Sequence, residues 1–104
     1  MQLNELIEKT IQWAKDRKII QNSTPEIQGL KLMSEMGELA DNLAKKRNCR
    51  DDIGDCMVVL INIAEMKGYT LEECLTVAYN DIKDRKGYVN ENGLFIKNGD
   101  VEPI

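Results

Sequence analysis

The sequence predicts an all-α fold, a small four-helix bundle protomer that ends in a short irregular or hairpin tail. Three observations carry this. Leu, Ile, Met, Glu and Lys fill most of the 104 residues while proline occurs only twice, a composition that favours helix. Apolar residues recur at intervals of three and four. Start and stop signals divide residues 1–86 into four such segments.

The first segment runs from about Leu3 to Ile20, with Leu3, Leu6, Ile7, Ile11 and Ala14 on one face. The stretch QNSTPE interrupts it. Thr24 is placed to cap the second helix, and Pro25 occupies its first position, where a missing N–H costs nothing. That helix extends to about Arg47, with Leu32, Met36, Leu39 and Leu43 as its core face. A basic joint, KKRNCR, leads to a third helix from about Asn48, its expected cap, to Lys67. From Ile53 to Ala64 this helix is apolar almost all round, which marks it as the central one. Gly68 stops it, and Thr70 and Glu73 form the capping box of a fourth helix. Leu71, Cys74, Leu75, Ala78 and Ile82 give that helix its stripe, and Gly87 is expected to end it.

Residues 1–86 then form a helical bundle domain and 87–104 a tail, in which Asn92-Gly93 between short apolar pieces signals a hairpin. A third helix this apolar needs more cover than three neighbours supply. A homodimer or homotetramer is therefore expected.

The formal charge of −4 argues against a protein that embraces a nucleic acid polymer by charge. Histidine is absent, which rules out His-containing triads and zinc sites. The three cysteines show no CxxC spacing. Cys56 and Cys74 fall at apolar positions and are expected to be small core residues in a reducing, cytoplasmic setting. No apolar run approaches the roughly 20 residues of a membrane span, and MQLNELIEK has no signal-peptide character.

Against this plain background, one stretch raises a question. SEMGELADNLAKKRNCRDDIGDCMVVLINIAE sets acids inside two otherwise apolar helical patterns. Lys31, Glu35, Glu38 and Asn42 follow at spacings of four, three and four. Asp52, Asp55, Val59 and Asn62 follow at three, four and three. Such spacings make a contact seam. If the two helices run antiparallel across their short joint, four carboxylates converge. They cannot all stay ionised unless cations neutralise them. Only oxygen ligands are on offer, which suits Mg²⁺, Mn²⁺ or Ca²⁺.

Plainer readings stand beside this one. Glu35 and Glu38 also fit a solvated face, Asp51 and Asp52 the charge preference of a helix N-terminus, and Asp55 an ion pair with Lys31 or an arginine. Lys31 and, near the end of the fourth helix, Asn80, Lys83, Arg85 and Lys86 are candidates for phosphate contact. The cations also suit a helix C-terminus. Trp13 fits either stacking on a base or packing in a core or interface.

KLMSEMGELADNL followed by DDIGDCMVVLINIA resembles the MazG-like branch of the all-α nucleoside triphosphate pyrophosphohydrolases. The family pattern is ExxE on one helix and ExxD on the next. Here it reads Glu35-Met36-Gly37-Glu38 and Asp52-Ile53-Gly54-Asp55. IQWAKDRKII, AYNDIKDRKG and GLFIKNGD are similar to segments of small, often phage-encoded members, so the likeness spans nearly the whole chain. Two positions depart from the family. Asp52 stands where members usually carry Glu, and Ser34 where many carry an acid. Asp is one methylene shorter, which bears on ligand geometry more than on fold.

The resemblance implies Mg²⁺-dependent cleavage of a nucleoside or deoxynucleoside triphosphate to the monophosphate and pyrophosphate, with Mn²⁺ as a substitute ion. It implies Glu35, Glu38 and Asp55 as metal ligands, Asp52 as a ligand or water-orienting base, and Glu38 and Asp52 as the catalytic pair. Lys31, Trp13, Asn80, Lys83 and Arg85 are then the substrate-binding candidates. The competing expectations are a non-catalytic helical module that binds a nucleotide or protein, and a purely structural dimerising bundle.

Overall fold

The computed structural model describes residues 1–101, and the last three positions of the expected tail, 102–104, lie outside the described residues. Five helices and one small hairpin follow in order: α1 (Leu3–Asp16), α2 (Ile19–Asn22), α3 (Pro25–Ala44), α4 (Arg50–Lys67), α5 (Leu71–Ile82), β1 (Gly87–Val89) and β2 (Phe95–Lys97). They divide into two compact units, Met1–Leu71 and Glu72–Ile104.

In the first unit α4 is central, as its sequence predicts. It packs against α1, α2 and α3. Ala14 of α1 and Val59, Ile61 and Ala64 of α4 are the buried apolar residues of this unit. The expected start of α3 is present. Thr24 Oγ1 accepts from the Ile27 N–H at 3.1 Å, and Pro25 opens the helix.

Three helix boundaries differ from expectation. The first segment is two helices, because Lys18 takes a left-handed backbone (φ 64°) between them. That turn lets α2 touch α4 as well as α1. The second expected helix stops at Ala44, before Arg47. Lys46 is left-handed (φ 56°), the Lys46 N–H donates to Leu43 O, and the Arg47 N–H donates to Asn42 O. Those two bonds form a Schellman stop, made here without glycine. Gly68 (φ 77°) closes α4 by the same pair of bonds, from Gly68 N to Glu65 O and from Tyr69 N to Ala64 O. At the start of α4, Asn48 lies one residue outside the cap position, which Cys49 holds, but Asn48 Oδ1 still accepts from the Arg50 N–H at 3.0 Å.

Three of the expected core faces are also revised, and on α1 Leu3 and Leu6 are 59% and 47% exposed. Met36 and Leu43 on α3 are about half exposed (47% and 56%), while Gln28 and Glu35 are the buried residues of that helix. The polar seam shares its side of α3 with the half-buried Leu32 and Leu39.

In the second unit α5 ends at Ile82, short of Gly87. Gly87 instead opens β1, where a Cβ would strike the Ile96 carbonyl oxygen and the Lys97 Cα. β1 and β2 pair antiparallel, with Tyr88 opposite Ile96. The loop is longer than a two-residue turn. Asn90 N donates to Leu94 O, and Asn90 Oδ1 accepts from both the Asn92 and Leu94 N–H groups at 3.0 Å. Gly93 (φ 83°) supplies the left-handed residue. Ile96 is buried. Cys74 is exposed and Cys56 half-buried, so neither is the core thiol its position suggests. The stripe on α5 beyond Leu71 is exposed as well.

Candidate active site

Gln28, Glu35 and Asn42 lie seven residues apart on α3, two turns each, and so share a face. Asn62, Asp55 and Asp52 answer them on α4. Asn62 Nδ2 donates to Gln28 Oε1 at 3.3 Å, and Gln28 Nε2 donates to Ser23 Oγ at 3.1 Å. At the other end Asn42 Nδ2 donates to Asp52 Oδ2 at 2.9 Å. The pairs 28–62 and 42–52 run in opposite sequence order, so α3 and α4 are antiparallel.

Between these two ties, one carboxylate oxygen from each of Glu35, Glu38 and Asp55 lies within 4.8 Å of the others. Glu35 is buried, Asp55 half-buried and Glu38 exposed. Lys31 reaches in from solvent, its Nζ 2.9 Å from Glu35 Oε1. Glu35 Oε2 is buried without a hydrogen-bond partner.

The electrostatics follow from this crowding. The negative charge of Glu35, then burial, push the Glu38 carboxyl above its ordinary value. Burial first, then the charges of Asp51 and Glu35, raise Asp55. The hydrogen bond to Glu35 holds the Lys31 ammonium above its usual value. Burial and the same carboxylates raise the Cys56 thiol. Three acids against one lysine leave an excess of negative charge, and a buried carboxylate oxygen without a partner costs about 1–3 kcal/mol or more. A hard divalent cation matches both features, because the donor set is all oxygen and one buried Glu35 oxygen has no partner.

Of the four carboxylates expected to converge, three gather. Asp52 is buried and turned to Asn42. Lys31 stands at the cluster. Trp13 is 46% exposed, with the Arg17 guanidinium 5.8 Å from its ring centre. It lines a hollow of about 370 Å³ with Leu6, Lys9 and Thr10 of α1 and Asp55 and Val58 of α4. Asp55 thus belongs to both the cluster and the hollow. Asn80 lies on α5, and Lys83 and Arg85 just beyond it, all exposed on the second unit. Sequence reasoning missed Gln28, although its seven-residue offset from Glu35 was a signal. It also missed Lys9 and Thr10, whose only signal was their place between Leu6 and Trp13 on one helix face.

No known family profile matches the chain. Over 65 residues it is 45% identical to an uncharacterized 18.2 kDa protein from the rep-hol intergenic region of Haemophilus phage HP1 (strain HP1c1). The match covers 61% of this chain and 40% of that protein, so it spans well under half of the relative. Among solved structures the chain is similar to the cyanophage S-2L MazG-like pyrophosphohydrolase bound to dGDP and three catalytic Mn²⁺ ions per active site. The TM-score is 0.66 at 19% identity, over 93% of this chain and 97% of that one. The chain therefore has the all-α fold of a small, phage-type MazG-like protein.

Proposed function

We propose that the chain is a divalent-cation-dependent nucleotide pyrophosphohydrolase. It converts a nucleoside or deoxynucleoside triphosphate and water to the monophosphate and pyrophosphate. The observation that carries this reading is the group Glu35, Glu38 and Asp55, with one buried Glu35 oxygen left without a partner. The structural neighbour supports it, since that protein holds a nucleotide and catalytic Mn²⁺ on the same fold.

Glu35, Glu38 and Asp55 would hold the cation, Mg²⁺ in the cell with Mn²⁺ as a substitute. When bound, such an ion neutralises polyphosphate charge and makes a water more acidic. Asp52, whose Oδ2 Asn42 holds, would be the base that accepts the water's proton at Oδ1. Asn42 is its positioning residue. Glu38, the most exposed of the three ligands, faces the arriving substrate. Lys31, now 2.9 Å from Glu35, would be free to pair with the phosphates once a cation took up the Glu35 charge, and Asn80, Lys83 and Arg85 are further candidates for phosphate or sugar contact. The nucleoside lies in the hollow against Trp13, beside the phosphates at Asp55.

The protein works as a cytoplasmic homodimer or homotetramer. Ile27, Leu30 and Met33 on α3 and Ile53 and Leu60 on α4 are 44–69% exposed, which supports a further chain covering them. No helix among the described residues is long and apolar enough to cross a membrane.

The test is a hydrolysis panel over the NTPs and dNTPs with products identified. Monophosphate plus pyrophosphate, lost in EDTA and in Glu38→Gln, is the expected result. A folded protein that Mg²⁺ stabilises but that turns over none of the panel would replace this reading with a non-catalytic nucleotide-binding module.

A further inference from the structure

The hollow beside the carboxylates carries two polar groups from adjacent positions of α1, Lys9 and Thr10. Their hydrogen-bonding capacities differ. A threonine hydroxyl has one proton and two lone pairs. The Thr10 proton is committed, because Oγ1 donates to Leu6 O at 2.7 Å within the helix. The Thr10 hydroxyl therefore has only acceptor capacity left to offer a ligand in the hollow this residue lines. The Lys9 ammonium is a donor only. Trp13, one turn further along the same face, supplies a flat apolar wall, and Arg17 over its ring restrains the indole.

We infer that Thr10 is a specificity residue that accepts a hydrogen bond from an exocyclic amino group of the base, and that Lys9 donates to a ring nitrogen or carbonyl beside it. The inference rests on the nucleotide reading above and adds a base class to it: amino-bearing bases are selected over the same rings without the amino group. An acceptor-only partner explains the direction. An amino N–H meets a lone pair. A bare C–H leaves Thr10 Oγ1 unsatisfied in the part-buried wall, and a ring carbonyl at that point sets lone pair against lone pair.

The test uses three pairs of 5′-monophosphates that differ by one amino group: adenosine against purine riboside, cytidine against pyrimidin-2-one riboside, and guanosine against inosine. Binding in Mg²⁺ is measured by calorimetry and by quenching of Trp13, the one tryptophan of the chain. In at least one pair the amino form should bind about fivefold more tightly, the worth of one neutral hydrogen bond. Thr10→Ser should keep the ratio, because serine retains the acceptor. Thr10→Val, of equal shape, should bring it close to one. Lys9→Met should weaken both members of the pair alike. A ratio near one in every wild-type pair, or a ratio that survives Thr10→Val, overturns the inference. So does the absence of monophosphate binding in a protein that hydrolyses triphosphates. Absence of both binding and hydrolysis instead overturns the nucleotide reading, and the base inference falls with it.

Discussion

Replacing Asn42 by alanine tests the geometry of the seam directly. Asn42 Nδ2 donates to Asp52 Oδ2 at 2.9 Å, and Asp52 is only 8% exposed. A hydrogen bond to a charged group contributes about 1.5–3 kcal/mol, and its removal leaves a buried carboxylate oxygen to be satisfied by whatever water can enter. A loss of about 2 kcal/mol is expected for Asn42→Ala. In a unit of this size that lowers Tm by roughly 8–16 °C. Urea unfolding followed by Trp13 fluorescence reads this unit specifically, because the single tryptophan lies within Met1–Leu71. Asp52→Asn in the Asn42→Ala background should recover part of the loss, since a neutral amide is cheaper to leave unpaired than a carboxylate. Turnover should fall about 10- to 100-fold with KM little changed, the usual effect of losing a group that orients a catalytic side chain. A loss below about 0.5 kcal/mol would place Asp52 in solvent and refute its description as a buried, oriented base.

Two further outcomes follow. Gln28 and Asn62 are tied by a 3.3 Å bond, yet Asn62 Oδ1 is buried without a partner, so the double replacement Gln28→Leu/Asn62→Leu should be neutral to stabilising by about 1–2 kcal/mol in urea. Asn62→Leu alone should do worse, because Gln28 Oε1 then loses its donor. The pH dependence has a defined sign. Glu38 and Asp55 are raised above their ordinary values, so ionising them costs the metal-free folded state. That penalty is present above their folded values and disappears as pH falls below the ordinary carboxylate range. Melts in EDTA should therefore show Glu38→Gln more stable than wild type at about pH 8 and equal to it near about pH 4. Added Mg²⁺ should reverse the order at the higher pH, and no reversal would count against the cluster as a cation site.

How much was legible in the sequence depended on which force sets each feature. The start of α3 was legible because Thr24-Pro25 acts locally, and so was the end of α4, because Gly68 supplies the left-handed residue. The ends of the first and second expected helices were not. Lys18 and Lys46 adopt left-handed backbone that ordinary side chains disfavour by about 1–2 kcal/mol, and packing, which a single sequence does not display, decides where such turns fall. The pattern of Lys31, Glu35, Glu38 and Asn42 against Asp52, Asp55 and Asn62 was legible as a seam because spacing alone puts residues on one face. The pairing inside it was not. Spacing brings Asp52 to the same interface as Asp55, but the Asn42 amide, one turn beyond Glu38, draws Asp52 to itself. Asn80, Lys83 and Arg85 were chosen by type and position, and the fold adds no contact that selects among them.

The same seam explains why this small unit has so thin a core. α3 and α4 are its longest helices, and the buried positions of α3 are Gln28 and Glu35, while α4 buries Asp52 and Asn62 beside Val59, Ile61 and Ala64. Met36, Leu43 and Ile53 are each about half exposed. Each buried polar group needs its own partner, and here two amide ties at the ends satisfy Asp52 and Gln28 while the middle keeps an unmet carboxylate oxygen. A structural ion-pair seam would close that gap with a second lysine or arginine. This chain places one lysine there and leaves the rest of the charge open. The stability of the metal-free unit and the affinity of its cluster for a cation are therefore two readings of one quantity. Any substitution that neutralises the middle of the seam should raise the first and lower the second, whereas Asn42→Ala at one end should lower the first and Gln28→Leu/Asn62→Leu at the other should leave it level or raise it.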